Sequence, residues 1–176
     1  MSPFQKRQWL FEQNGRSLNN LIRLELKGHI VPGLLKSAFI RVAQRHEILR
    51  TAIKQIPGML FPMQVIHPSC EPGWRFDDKM PESGSDWEEK VSAAMDELIK
   101  RTRDGEMTGP VNITLLQLSE DTYTLLLGAP VLCTDAISLL QIAREILCCY
   151  NAGGNTGDDP VFQFRQYAEW HNEVLQ

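Results

Sequence analysis

The chain has 176 residues, 43% of them hydrophobic, so it can bury one substantial core and its length fits a single domain. Its formal net charge is -4, with 18 basic and 22 acidic residues and no basic run, which argues against a nucleic-acid partner. No apolar run reaches the roughly 18 residues of a membrane span, and the N-terminus lacks the apolar stretch of a signal peptide. We therefore expect a cytoplasmic protein that contacts neither membrane nor nucleic acid.

The cysteines point to a reducing compartment. There are four, Cys70, Cys133, Cys148 and Cys149. None lies in a Cys-x-x-Cys spacing, and the adjacent pair falls inside an apolar helical pattern. We interpret all of them as buried thiols.

Local patterns predict the elements of the first quarter of the chain. Ser2 followed by Pro3 predicts a helix start, because a serine oxygen can cap free amides and proline tolerates the first helical position. This helix should extend to about Gln13. Residues 21–26 alternate with period two, which is typical of a strand. Residues 32–47 carry apolar side chains at three-to-four spacing and predict a helix.

A hairpin and a loop are predicted next. The short apolar stretches 49–53 and 60–66 flank the turn signal Pro57-Gly58 and indicate an antiparallel hairpin. Residues 67–85 are rich in Pro, Gly, Ser and Asp, so we expect mostly loop there.

The next segment combines a helix with a second hairpin. Asp86 can cap a helix that ends near Asp104-Gly105. Residues 111–115 and 123–127 are extended patterns separated by a turn, which predicts a central hairpin.

Two further helices complete the predicted fold. Thr134 or Asp135 can cap the first, and its apolar residues crowd most of its circumference, so we expect it to be well buried. Those residues are Ile137, Leu140, Ile142, Ala143, Ile146, Leu147 and Tyr150. A last helix begins at about Val161. The order of elements indicates an α/β fold, a sandwich around a mixed sheet, in one domain over residues 1–176.

Three segments resemble motifs of nonribosomal peptide synthetase condensation domains, in the same order. They are Ser2-Pro3-Phe4-Gln5-Lys6-Arg7-Gln8-Trp9, Arg45-His46-Glu47-Ile48-Leu49-Arg50-Thr51 and Phe164-Arg165-Gln166-Tyr167-Ala168-Glu169-Trp170. The second is the most specific match, and the third has Gln166 where the family usually has an acidic residue. The resemblance implies a truncated, single lobe of the two-lobed chloramphenicol-acetyltransferase-like fold, the N-terminal one.

The family's third motif, His-His-x-x-x-Asp-Gly, is degenerate here. It should lie between the strand ending near Gly128 and the next helix, where only Asp135 matches. The second histidine, which the resemblance implies helps an acceptor amine attack a carrier-bound thioester, is replaced by Val131. Pro130 stands in place of the first histidine and Ala136 in place of the glycine. Valine has no proton to exchange, so we predict no catalytic residue.

No other pattern restores a catalytic or cofactor site. The four histidines are His29, His46, His67 and His171. They lack metal-ligand spacing, and no phosphate-binding glycine motif is present, so we expect neither metal nor cofactor. Cys133 near Asp135 has no local histidine as base, and His46 beside Arg45 and Glu47 is ordinary for a helix end. We interpret these residues as structural.

The resemblance also implies one structural ion pair. In the family, an arginine of the second motif holds the aspartate of the third, and this sequence keeps both as Arg50 and Asp135. We therefore predict that the two side chains are in contact.

Two functions fit these observations. The first is a non-catalytic structural or docking element of a nonribosomal peptide synthetase, at an initiation module, that contacts a neighbouring adenylation domain or carrier protein and that self-associates where its second lobe is missing. The second is one lobe of a condensation or acyltransferase enzyme that forms amide bonds between carrier-bound thioesters, its other lobe lying elsewhere. A decayed relic without a selected role is a third.

Overall fold

A computed structural model describes residues 1–13, 18–69, 73–80, 86–103, 109–155, 157 and 160–174. The helices are α1 (Pro3–Glu12), α2 (Pro32–Arg45), α3 (Asp86–Arg103), α4 (Ala136–Asn151) and α5 (Phe164–Val174), with a 3₁₀ helix at Glu47–Arg50. The strands are β1 (Asn19–Lys27), β2 (Thr51–Lys54), β3 (Met63–Ile66), β4 (Gly73–Asp77), β5 (Asn112–Gln117) and β6 (Thr122–Pro130).

The main sheet has the strand order β1-β6-β5-β4. β6 pairs antiparallel with both β1 and β5, whereas β4 is parallel to β5. The sheet is therefore mixed, and the predicted central hairpin is confirmed. The prediction of loop over 67–85 is wrong at Gly73–Asp77, because this short stretch gains a hydrogen-bonded partner in β5 that its own composition does not reveal.

β2 and β3 form a separate antiparallel pair, in which Thr51 lies opposite Ile66 and Lys54 opposite Met63. The predicted hairpin is thus confirmed.

Helices cover both faces of the main sheet. The larger core packs α2 and α4 against one face, with Phe39, Leu125 and Ile146 among its fully buried members. The smaller core packs Val91 and Leu98 of α3 against the other face. This α/β sandwich matches the predicted fold class.

Two burial predictions are wrong. Ile137 and Leu140 of α4 are 74% and 51% exposed, so this helix buries one stripe and leaves apolar side chains uncovered near its start. Cys148 is exposed and Cys133 half-buried, whereas Cys149 is buried as predicted. Cys70 lies outside the described residues.

The start of α1 agrees with its prediction. Ser2 is the N-cap: its hydroxyl accepts a hydrogen bond from the backbone amide of Gln5, and the backbone amide of Ser2 donates to Oε1 of Gln5. None of the described helices is both long enough and apolar enough to cross a membrane.

Candidate functional site

The degenerate third motif forms a tight turn between β6 and α4. The Pro130 carbonyl oxygen accepts hydrogen bonds from the amides of Cys133 and Thr134, at 2.9 and 3.2 Å. The Val131 amide donates to the carbonyl oxygen of Leu18, just before β1, at 3.0 Å. Backbone hydrogen bonds therefore stabilise the turn internally and link it to the residue that precedes β1.

Two side chains from the first part of the chain hold the same turn. Nε2 of the buried Gln5 donates to the Leu132 carbonyl oxygen at 2.8 Å. Nδ2 of Asn20 donates to the Thr134 carbonyl oxygen at 2.6 Å. Because these bonds use backbone acceptors, they do not depend on the side chains of Leu132 and Thr134.

Asp135 is the N-cap of α4. Its Oδ1 accepts a hydrogen bond of 2.6 Å from the Ser138 amide, and this bond holds the pKa of the carboxyl below its ordinary value. Nη1 of Arg50 donates instead to the His67 carbonyl oxygen. No salt bridge between Arg50 and Asp135 exists in the described part of the chain, so the predicted ion pair is not formed, because each side chain satisfies a local backbone group.

Three positions of the third motif carry side chains without an ionisable group. Val131 is half-buried, Pro130 ends β6, and Ala136 is the first residue of α4. Burial, reinforced by the charge of Glu12, raises the pKa of the Cys133 thiol to about 12. A raised pKa disfavours the thiolate, which is the nucleophilic form of cysteine.

The second motif meets α4 through one carboxylate. Glu145 Oε1 lies 2.9 Å from Arg45 Nη1, and Glu145 Oε2 lies 2.6 Å from His46 Nε2. All three side chains are about three-quarters buried. The sequence analysis missed this cluster, because no local spacing links residues about 100 positions apart.

Gln163 ties the second motif to the segment before α5. Its Oε1 accepts from the Glu47 amide and its Nε2 donates to the Arg45 carbonyl oxygen, both at 2.9 Å. The Thr51 hydroxyl donates to the Glu47 carbonyl oxygen at 2.6 Å. The contacts of this motif are thus mainly structural.

A cavity of about 410 Å³ lies between α4 and α5, next to the turn. Cys133 and Thr134 line it from the turn, His46 from the second motif and Tyr167 from α5. The structure therefore places an imidazole beside the degenerate motif, which the scattered positions of the histidines did not predict.

The other motif residues lie on helix surfaces. In α5, the Tyr167 ring is 5.8 Å from Phe164 and 6.0 Å from Trp170, which is 55% exposed. In α1, the exposed Arg7 guanidinium lies 5.9 Å from the Phe4 ring, and Trp9 is half-buried. Across the described residues, no group of three or more His, Cys, Asp or Glu could hold a metal ion.

Comparisons with known proteins agree with this fold. The "Condensation domain" family matches residues 1–176, and the chain belongs to this family. Gramicidin S synthase 2 of Brevibacillus brevis is 29% identical over 179 residues, covering 100% of this chain and 4% of the synthase. The chain thus spans a small fraction of this relative and matches the condensation part of a peptide synthetase.

Solved structures show the same fold. The X-domain from teicoplanin biosynthesis, in complex with OxyB, is 26% identical with a TM-score of 0.78, covering 99% of this chain and 38% of that one. The condensation domain from the monacolin K polyketide synthase MokA has a TM-score of 0.80 at 19% identity, covering 99% and 38%. These likenesses establish a chloramphenicol-acetyltransferase-like fold.

Proposed function

We propose that this chain is a non-catalytic condensation domain, a single N-terminal lobe that serves as a structural or docking element of a nonribosomal peptide synthetase, at an initiation module. The observation that carries the proposal is the hydrocarbon side chain of Val131, held in an intact turn where the family's base would stand. The raised pKa of the Cys133 thiol beside it disfavours a replacement thiolate nucleophile.

Exposed apolar side chains support a docking role. Ile137 and Leu140 on α4 and Trp170 on α5 are each more than half exposed, and large uncovered apolar groups are typical of interaction surfaces. A protein with a similar fold, the teicoplanin X-domain, has been solved in complex with a second protein. The proposed partner is an adenylation domain or carrier protein of the same synthetase, and self-association would use the same surface.

Binding measurements on purified neighbouring domains test this proposal. We expect saturable binding of an adenylation domain or carrier protein, weakened at least tenfold by Trp170→Ala because aromatic anchors dominate interfaces. Leu34→Ala is the matched control, since Leu34 is 60% exposed but lies on α2. Absence of binding to every neighbouring domain would contradict the proposal.

A second candidate function is catalysis by a condensation-type enzyme with a displaced base. The observation that favours it is His46, which lines the cavity with its Nε2 2.6 Å from Glu145. A histidine that donates from Nε2 to a carboxylate has Nδ1 available to accept a proton. Glu145 would then orient the imidazole.

Turnover assays separate the two functions. The proposed docking role predicts no amide formation and no thioester hydrolysis with loaded carrier proteins, with or without an added second lobe. Turnover that disappears in folded His46→Gln would establish the enzyme instead. Turnover that disappears only in Asp135→Ala would assign the activity to the turn.

A further inference from the structure

The hairpin tip, residues 55–62 between β2 and β3, exposes apolar side chains to water. Residues 57–60 are all exposed, and among them Leu60 is 74% and Met59 47% exposed. Met63, the first residue of β3, is a further 45% exposed. Large apolar groups this close together in sequence are typical of a surface that another apolar phase covers.

The hairpin tip has a defined backbone shape. Residues 56–59 form a turn in which the Met59 amide donates to the Ile56 carbonyl oxygen at 3.1 Å. Gly58 supplies the positive φ, +84°, that the third position of this turn requires. Because the turn is already formed, binding through the hairpin tip would cost little conformational entropy.

The backbone of the hairpin tip also exposes few groups that need water. The side-chain amide of Gln55 donates to the Met59 carbonyl oxygen at 3.0 Å. Pro57 and Pro62 have no amide hydrogen to donate. These positions therefore give up few hydrogen bonds to water when the hairpin tip enters an apolar phase, which lowers the cost of doing so.

Positive charges flank the hairpin tip. Lys54 is exposed and comes directly before it, and Nζ of Lys6 on α1 lies 5.8 Å from the centroid of the Phe61 ring. Neither lysine forms a salt bridge within the described part of the chain. Residues 48–69 contain no Asp or Glu, although acidic residues outnumber basic ones in the whole chain. The hairpin tip is thus apolar, and its surroundings in sequence carry only positive charge.

An anionic lipid surface matches this combination of groups. Apolar side chains of a peripheral protein enter the boundary between headgroups and acyl chains, while lysines stay at the level of the anionic headgroups. A protein interface, in contrast, carries about one hydrogen bond for every 100–200 Å². The side chains of residues 56–63 are Ile, Pro, Gly, Met, Leu and Phe, which offer no such bond. Lipid acyl chains require none.

We propose that the hairpin tip binds the surface of an anionic lipid bilayer, with Met59 and Leu60 inserted between the lipids and Lys6 and Lys54 against the phosphate headgroups. This contact needs no spanning helix. It departs from the expectation of no membrane contact, because that expectation rested on the absence of a spanning segment and of a signal peptide.

The inference does not rest on the docking role. The residues that support docking lie on other elements, Ile137 and Leu140 on α4 and Trp170 on α5. Failure of lipid binding would leave the docking role intact, and failure of docking would leave lipid binding intact.

Co-sedimentation of the purified chain with lipid vesicles tests the inference. We expect saturable binding to vesicles made from an equimolar mixture of phosphatidylglycerol and phosphatidylcholine. Binding to vesicles of phosphatidylcholine alone should be at least tenfold weaker, because each lysine near an anionic surface adds roughly fivefold in affinity. Salt at about 1 M, which shortens the Debye length to about 3 Å, should remove most of this difference.

Substitutions separate the apolar contribution from the charged one. Leu60→Gln should weaken binding to the anionic vesicles about tenfold, since the exposed leucine loses its gain from leaving water. Lys54→Gln should weaken it about fivefold and leave binding to phosphatidylcholine unchanged. Leu34→Gln is the matched control, because Leu34 is 60% exposed but lies on α2, and it should bind like the unaltered protein. Circular dichroism confirms that each variant is folded.

Three results would each overturn the inference: no saturable binding to the anionic vesicles, equal affinity for phosphatidylcholine, or equal effects of Leu60→Gln and Leu34→Gln. If vesicles did not bind and Leu60→Gln instead weakened binding of a neighbouring domain, the hairpin tip would be a protein interface, and the inference would be wrong.

Discussion

The side-chain amide of Gln5 donates a buried hydrogen bond of 2.8 Å to the carbonyl oxygen of Leu132, 127 residues further along the chain. Gln5 belongs to the first family motif, and Leu132 lies within the degenerate third motif. The first motif therefore holds the turn in place even though the turn has lost its histidines. This contact explains how the turn keeps its shape without the two histidines of the family motif.

Replacing Gln5 tests how much the turn depends on it. Gln5→Ala removes the capping-box bond and leaves the Leu132 carbonyl oxygen without its partner, so we expect the free energy of unfolding to fall by about 2–3 kcal/mol. Ser2→Ala removes only the cap and should cost about 1 kcal/mol. Urea denaturation monitored by circular dichroism measures both. Equal losses in the two variants would mean that the bond to the turn contributes nothing.

The separation of Arg50 from Asp135 predicts that their contributions to stability are independent. Asp135→Ala should cost about 1 kcal/mol, because α4 loses its N-cap. A double-mutant cycle with Arg50→Ala should give a coupling energy within about 0.5 kcal/mol of zero. A coupling above about 1 kcal/mol would show that the two side chains meet in solution.

Glu145 should contribute to stability through its two partners. Glu145→Gln weakens the contacts with both Arg45 and His46, and we expect a loss of about 1–2 kcal/mol because the cluster is largely buried. Glu169→Gln is the control. Its pair with Arg165 is more than half exposed, so solvent screens it and the loss should be much smaller. Thermal or urea unfolding measures the loss of stability in both variants. Losses of equal size would mean that the buried contacts of Glu145 contribute no more than an exposed ion pair.

Glu12 should make the protein less stable as the pH rises. Burial raises the pKa of its carboxyl above the ordinary value. A folded-state pKa above the unfolded value favours folding at low pH, and this contribution is lost as the pH rises through the folded value. Glu12→Gln should therefore gain stability relative to the unaltered protein as the pH rises above the ordinary pKa of a glutamate carboxyl.

Asp135→Asn should change the pH dependence of stability in the opposite direction to Glu12→Gln. The pKa of Asp135 is lowered by its bond from the Ser138 amide, so its contribution is present above the unfolded pKa and is lost as the pH falls through the folded one. Unfolding free energies measured across the same pH range should show the two variants diverging from the parent in opposite directions. A pH-independent difference for Glu12→Gln would contradict the burial of its carboxyl.

The sequence predicted those elements whose signals are local. The capping residues at Ser2 and Asp135 marked helix starts correctly, because a cap acts within three residues. β4 was missed, since Trp74 and Phe76 alternate with the charged Arg75 and Asp77 in a five-residue edge strand that depends on β5. Length and composition alone do not separate such a strand from loop.

The candidate site was predicted less completely than the fold. The sequence showed that Val131 replaces the second histidine of the family's third motif, since this depends on residue type alone. It did not show that His46 and Glu145 meet, because that contact depends on how α2 packs against α4. The family resemblance also predicted an ion pair between Asp135 and Arg50. Asp135 instead accepts a short-range hydrogen bond from the Ser138 amide.

The pairing of the first main-sheet strand with the last has a consequence for biosynthesis. In the described sheet β1 is an edge strand that pairs with β6, with Asn19 opposite Pro130. During translation at about 5–20 residues per second, β1 would wait several seconds or more before β6 leaves the ribosome. Throughout that interval the backbone hydrogen-bonding groups of β1 would have no partner strand. We therefore expect chaperones that bind extended segments to associate with the nascent chain.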